Sequence, residues 1–358
     1  MKILVANIGS TSLKWRLFDF SNNAERLLHK GGFERVTDYS KAIEDCLAEL
    51  KKANAIASES ELSAVGFKTV IAKDVTGCVR LDDRVLQAMH DYNGLAPAHN
   101  PPYITGIKLF AQRMPKVPLI GLFETAFHQF APEASQRYAV PDSWLKIGVR
   151  RWGFHGASHK FIAERSAELL NRLDVAESAR QLYVHHGASK ISGAPLRVIS
   201  CHLGGSSSVT GILNGASIGT SMGMSPQSGL LGISGVSNDV RDIADAAAKG
   251  NASAKLALDV FVASTRHWIG SYFLQLNGAD AIAFTAGTGE NSASIRAAIC
   301  ANLENLGIKI DAEKNNVTRA TETVISAADS AVKIFVIPTN EELVVAREAK
   351  RFLETQRN

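Results

Sequence analysis

Four short segments concentrate glycine, hydroxyl and amide side chains. They are Asn7-Ile8-Gly9-Ser10-Thr11-Ser12 with Lys14 just beyond, His202-Leu203-Gly204-Gly205-Ser206-Ser207-Ser208, Ala286-Gly287-Thr288-Gly289-Glu290-Asn291 and, more loosely, the run GISGVSND at 232–239. Bare backbone N–H groups, small side chains that permit close approach and one cation make a cradle for phosphate. Gly and Ser are also ordinary turn residues, because Gly accepts positive φ and Ser bonds its own backbone. For any single segment both readings stay open. Four in one chain, three of them after strand-like runs, favour a phosphate or nucleotide site. None is a G-x-x-x-x-G-K-[ST] motif, and the first loop runs from strand to strand.

Acids and histidines add to this. Glu341 lies at a strand–helix junction and could serve a metal, or could be a helix-N-terminal charge favoured by the macrodipole. Asp239 in SNDVRD could do the same, or cap a helix. His99 in LAPAHNPP, His128 in FETAFHQ, His155 and His159 in WGFHGASH, and His202 in SCHLGG lie in turn-rich contexts that suggest a polar cleft. The i, i+4 spacing of His155 and His159 suggests zinc. However, Gly156 disfavours a helix start there and no H-E-x-x-H is present, so zinc is set aside.

Strands and helices alternate around these groups. Residues 2–6 and 13–18 read as a hairpin. Ser40 can cap a helix whose Ile43, Leu47 and Leu50 share a face. Strands are expected at 64–70, 117–123, 197–203, 281–286 and 333–338. An amphipathic helix is expected at 159–173, and a long one at 254–276 stopped by Asn277-Gly278. Thr339 and Glu342 fit a capping box before a last helix. The strand–tip–strand pattern occurs twice, at 7–12 and 204–208. This predicts an α/β protein with two copies of a βββαβα-type unit around a central cleft, phosphates lying at strand ends.

The bulk numbers set bounds. A chain of 358 residues is expected to form two domains. A hydrophobic fraction of 46% and a mean hydropathy near zero read as soluble and globular. No run approaches the ~18–20 apolar residues of a membrane span, and the first residues lack a signal-peptide layout. The four dispersed cysteines suggest a reducing cytoplasm rather than disulfides or metal. A net charge of +4 without a long basic tract makes nucleic acid an unexpected partner.

The segments NIGSTSLKWRLFD, LAPAHNPP, FETAFHQ, RRWGFHGASHK, SCHLGGSSS, TSMGMSP, SGLLGISGVSNDVRDI, GADAIAFTAGTGENSASIR and IPTNEELVVARE occur in the order of the acetate kinase family. The chain resembles that family over most of its length, and with it the sugar kinase–Hsp70–actin-like fold. The resemblance implies an ATP-dependent acyl kinase that interconverts a short-chain carboxylate and its acyl phosphate, with Mg2+ as cofactor and an adenine nucleotide as partner substrate. It implies Asn7 and Glu341 as metal groups, and Lys14, His202, Leu203, Gly204, Gly205, Ser206, Asp239, Val240, Arg241, Gly287, Thr288, Gly289, Glu290 and Asn291 as nucleotide contacts. His155 would stabilise the transferring phosphoryl group, with Lys68, Glu124 and His99 as further catalytic positions. The acyl pocket would fall on Val70, Ala98, Phe154 and Pro226. Residues 1–128 plus 343–358 would form the phosphate and substrate domain, and 129–342 the nucleotide-binding domain, through which members form homodimers.

The departures from the family pattern fall on the chemistry. Lys68 stands where an arginine is expected, Glu124 where an aspartate is, and Gly205-Ser206 where Asn-Gly is. A stretch between Pro226 and Ser228, carrying a Gly-Thr-Arg motif and a second catalytic arginine, is missing, and an extra segment occurs around 183–195. Lysine is a point charge where arginine is a planar fork, and an arginine finger is worth about 10³–10⁵ in rate. Lys73, Arg80, Arg150, Arg151 and the His185-His186 pair are candidate replacements. Ala98 in place of leucine leaves room for propionate or butyrate. Two other readings stay open: a phosphotransferase with another acceptor, and a degenerate nucleotide-binding member with a regulatory or interaction role.

Overall fold

The computed structural model describes residues 1–184, 191–225, 234–237 and 239–356. The chain forms two compact units, Met1–Gln129 with Asn340–Asn358, and Phe130–Thr339. Asn340, Glu341 and Glu342, assigned from sequence to the second domain, therefore fold with the first.

The first unit holds β1 (Lys2–Ile8), β2 (Ser12–Asp19), β3 (Arg26–Glu34), α1 (Tyr39–Lys52), β4 (Leu62–Thr69), β5 (Cys78–Arg80), α2 (Asp83–Asp91), α3 (Asn100–Arg113), β6 (Leu119–Phe123) and a terminal helix, Glu341–Thr355. Its sheet runs β3-β2-β1-β4-β6-β5. β1 to β3 form an antiparallel meander, β1, β4 and β6 are parallel, and β5 returns antiparallel. Alternation in β2 sends Leu13, Trp15 and Leu17 into the core with Ile43, Leu47, Phe67, Ile107 and Phe110. The terminal helix packs against β1, β4 and β6. Gly66 in β4 lets it approach, since a Cβ there would meet Val345 at 2.9 Å.

The second unit holds α4 (Glu133–Gln136), α5 (Asp142–Leu145), α6 (Gly156–Leu169), α7 (Leu173–Arg180), β7 (Arg197–Leu203), β8 (Ser207–Leu213), β9 (Ala216–Thr220), α8 (Val240–Ala248), α9 (Ala252–Gln275), β10 (Ala281–Thr285), α10 (Ala286–Asn291), α11 (Ala293–Cys300), α12 (Ala312–Val317), β11 (Thr323–Val324) and β12 (Lys333–Val336). Its sheet runs β11-β12-β10-β7-β8-β9. Read from the other edge, this is the order of the first unit. The meander β7-β8-β9 is followed by parallel β10 and β12, and β11 lies antiparallel on the edge. The duplicated α/β architecture expected from the sequence is the one observed.

Several helix ends differ from the sequence reading. Asp38, not Ser40, caps α1, accepting from the Lys41 N–H. Asn340, not Thr339, caps the terminal helix, accepting from the Leu343 N–H. α6 does begin at Gly156, because His155 takes a left-handed conformation at φ 60° and turns the chain into the helix. α9 ends as expected, with Asn277 and Gly278 both at positive φ and the Gly278 N–H donating to the Phe273 carbonyl at 2.8 Å. Among the described residues no helix is long and apolar enough to cross a membrane. Cys46, Cys78, Cys201 and Cys300 are free thiols.

Candidate active site

In the first unit the parallel strands β1, β4 and β6 end side by side, and each carries a polar group near its end: Asn7 and Lys68, the last residue but one of β1 and β4, and Glu124, one residue past β6. Glu341 joins them from the first turn of the terminal helix. Lys68 Nζ lies 2.6 Å from Glu341 Oε2 and 2.9 Å from Glu124 Oε1. Burial works to lower the Lys68 pKa, but the two carboxylates outweigh it and hold the ammonium well above the ordinary lysine value. Tyr103 of α3 donates its phenol to Asn7 Oδ1 at 2.8 Å, and burial raises that phenol's pKa. His99, exposed at the N-terminus of α3, has a pKa lowered by desolvation and by the Lys68 charge. Next to it the buried Asn100 donates to the Ile71 carbonyl at 3.0 Å and the Met89 carbonyl at 2.8 Å. This ties the chain just after Val70 to the turn that carries Ala98. Val70 is buried and Ala98 exposed. Lys14 pairs with Glu34 on the surface of β2 and β3.

In the second unit three histidines gather behind the turn from β7 to β8. His155 precedes α6, His159 lies one turn into it, and His202 comes from β7. The His155 and His202 rings stack with centroids 3.9 Å apart and planes 15° from parallel. Three buried serines hold them, each contact at 2.8 Å. His155 Nδ1 and His159 Nε2 both meet Ser208 Oγ, His159 Nδ1 meets Ser200 Oγ, and His202 Nδ1 meets Ser158 Oγ. Phe154 is buried beside His155 in sequence.

The nucleotide-loop candidates lie in the same unit. Leu203 closes β7, and Gly204, Gly205 and Ser206 form its turn into β8, where Gly204 N–H donates to the Ser206 carbonyl at 3.2 Å. Ser206 Oγ is buried with no hydrogen-bond partner among the described residues. Gly287, Thr288, Gly289, Glu290 and Asn291 form the short helix α10, entered through Ala286 at φ 65°. The Glu290 carboxylate accepts from the Ala286 N–H at 2.8 Å and the Thr339 N–H at 3.2 Å. That N–H at the head of the helix is therefore held by the loop's own glutamate. Asp239 caps α8, accepting from the Arg241 N–H at 2.9 Å, and pairs with the exposed Arg241 guanidinium, which brings its pKa down to about 2. Val240 is buried.

Pro226 and the His185-His186 pair lie outside the described residues. Lys73 and Arg80 are exposed on the first unit. Arg150 lies over the Trp152 ring, and Arg151 over Tyr138 at 4.7 Å and Trp268 at 5.8 Å. Among the described residues no group of three or more His, Cys, Asp or Glu side chains could hold a metal ion.

Sequence reasoning assigned no role to Tyr103, Asn100, Ser158, Ser200 or Arg296, and read Ser208 only as part of a phosphate loop. Arg296 is fully buried in α11 and donates to the carbonyls of Gly289, Glu290, Asn315 and Thr318 and to Asn315 Oδ1. One signal was available. Ser200 and His202 are two apart in a strand and so share a face, and His155 and His159 are one helical turn apart.

A model of the Acetokinase family matches residues 29–230 and 226–347. The acetate kinase of Methanosarcina thermophila is 39% identical over 420 residues, covering 99% of this chain and 98% of that protein. That alignment is longer than this chain, so the relative holds residues with no counterpart here. The two stretches matched by the family model meet at 226–230, where the sequence reading places a missing segment. Among solved structures, acetate kinase of Porphyromonas gingivalis superposes with a TM-score of 0.82 at 29% identity, covering 98% of this chain and 99% of that one. A propionate kinase of Francisella tularensis superposes at 0.80 and 30% identity, covering 97% and 98%. With the same two-unit fold and relatives matched from end to end, the chain belongs to the acetate kinase family.

Proposed function

We propose that this chain is an ATP-dependent acyl kinase that interconverts a short-chain carboxylate and ATP with an acyl phosphate and ADP. The observation that carries the reading is the Lys68–Glu124–Glu341 cluster at the carboxyl ends of β1, β4 and β6, where open α/β sheets place ligands. Two carboxylates against one ammonium leave the cluster net negative, which disfavours a carboxylate or phosphate substrate. A divalent cation reverses that sign. Mg2+ prefers oxygen ligands and takes one or two carboxylates together with substrate phosphates. Glu341 and Asn7 offer such oxygens, and bound Mg2+ would neutralise charge on the phosphoryl group. Lys68 then orients the acyl oxygens, and Glu124 fixes Lys68. On the second unit His155 donates to the phosphoryl group. The Gly204–Ser206 turn, whose Ser206 hydroxyl has no partner among the described residues, and the Gly287–Asn291 loop hold the nucleotide. Cytoplasmic residence and a homodimer complete the reading.

The substrate range extends beyond acetate. Ala98 leaves volume where the family pattern has leucine, and one methylene in such a pocket is worth about 1–3 kcal/mol. Propionate or butyrate should give higher kcat/KM than acetate, and Ala98→Leu should move the preference back. The test is acyl phosphate formation from each acid with ATP and magnesium. A clear acetate preference unchanged by Ala98→Leu removes the pocket assignment. Failure on all three acids, with ADP still bound, replaces the kinase reading by a nucleotide-binding one.

A further inference from the structure

The serines around the three histidines decide which nitrogen of each ring carries the proton. A neutral imidazole has one N–H and one acceptor nitrogen, and a hydroxyl has one hydrogen to give. Ser200 is fully buried, and His159 Nδ1 is its side chain's only hydrogen-bond partner among the described residues. If His159 donated to Ser200, the serine hydrogen would be buried without an acceptor, which costs about 1–3 kcal/mol. Ser200 therefore donates, and His159 Nδ1 accepts. His159 then carries its proton on Nε2 and donates to Ser208 Oγ. The one hydrogen of Ser208 goes on to His155 Nδ1, so His155 carries its proton on Nε2. The second pair repeats the logic, for Ser158 is fully buried with His202 Nδ1 as its only such partner. His202 Nε2 also bears hydrogen, and this nitrogen lies 3.8 Å from where a Gly204 Cβ would stand.

We propose that the chain Ser200–His159–Ser208 and the single Ser158 lock His155 and His202 as neutral Nε2–H tautomers, so that the stacked rings act as hydrogen-bond donors to a phosphoryl oxygen and not as proton acceptors. His159, Ser208, Ser200 and Ser158 are positioning residues. The proposal rests on the kinase reading for what the two rings face, but not for the tautomers themselves. Two stacked rings 3.9 Å apart repel if both are charged, whereas two neutral N–H groups add as donors. The left-handed backbone of His155 holds the first ring in the stack.

The experiment reads the tautomers in the resting protein, without substrate. Long-range 15N–1H correlation spectra of the 15N-labelled chain, with rings assigned through single His→Asn variants, should show hydrogen on Nε2 and a bare Nδ1 for His155, His159 and His202. A bare Nε2 on His155 overturns the proposal, and so does a doubly protonated ring. Ser200→Ala removes the hydrogen that sets the chain. It should mix the His155 tautomers while leaving His202 unchanged, and kcat should fall toward the roughly 10²–10³-fold loss that follows removal of one preorganised donor, with KM for ATP unmoved. A Ser200→Ala protein with wild-type His155 spectra also overturns the relay. If the spectra are as expected but no carboxylate is phosphorylated, the kinase reading fails and the relay stands.

Discussion

Lys68 carries the sharpest consequences at the scale of single residues. Glu341 is both its partner and the proposed magnesium ligand. Glu341→Gln keeps the size of the side chain and a carbonyl oxygen but removes the charge. Phosphoryl transfer should then be lost with circular dichroism unchanged, and normal turnover would return Glu341 to a purely electrostatic role at the helix terminus. Lys68 and Glu124 stand where the family pattern has arginine and aspartate, a shorter cation facing a longer acid. Lys68→Arg alone should crowd Glu124 and lower kcat/KM, and Glu124→Asp alone should open the pair. The double substitution should recover activity, with a coupling on the order of 1–2 kcal/mol in a double-mutant cycle. The pair also has a pH signature. The folded pKa of Lys68 is raised above its ordinary 10.5, so its stabilisation is full below that value and is lost as pH rises through the folded one. Alkaline unfolding should therefore begin at lower pH in Lys68→Met, a variant that also costs on the order of 3 kcal/mol at neutral pH by stranding two carboxylates. Lys68, Glu124 and Glu341 were legible in the sequence through the family motifs. That they touch one another was not, because they come from three elements far apart in the chain.

Among the elements, α10 depends most on a residue outside it. Six residues cannot hold a helix by propagation alone, and the guanidinium of Arg296 donates to the carbonyls of Gly289 and Glu290 from below. Burial brings the Arg296 pKa down to about 10, so this is a cation kept in the interior by carbonyl dipoles. Arg296→Met strands those acceptors and should cost on the order of 3–5 kcal/mol. Arg296→Lys keeps the charge without the fork, and should raise KM for ATP more than it lowers kcat. Helix α9 offers a second test. Leu256, Val260 and Leu274 lie on one stripe of it and are exposed. If this stripe is the homodimer face, Leu256→Glu with Val260→Glu should give monomers in sedimentation, and an unchanged mass would place the dimer elsewhere or exclude it. The strands were legible because buried runs such as LIGLF and AIAFT have little alternative. The caps were less so. Ser40 and Thr339 fit the motifs, but Asp38 and Asn340 stand just outside the first turn, where their side chains accept from the Lys41 and Leu343 N–H groups.

At the scale of the whole molecule, the two sheets share one strand order, and the first unit is built from both ends of the chain. Repetition of a strand–tip–strand pattern was visible in the sequence; the matching placement of β5 and β11 on the edges was not, since three- and two-residue strands carry almost no periodicity. A ligand held by the native chain alone should stabilise it by mass action. Mg-ADP at a hundred times its Kd should add about 2.7 kcal/mol, read as a rise in melting temperature that magnesium-free ADP does not reproduce. The terminal helix has a consequence of another kind. During synthesis the strands β1, β4 and β6 leave the ribosome long before residues 341–355, while the second unit emerges whole. The face of the first sheet around Gly66 must therefore wait, uncovered, until residues 341–355 have emerged. A nascent chain arrested before residue 341 should hold a protease-resistant second unit beside a first unit that chaperones still recognise, so the earlier half of the message is the last to mature.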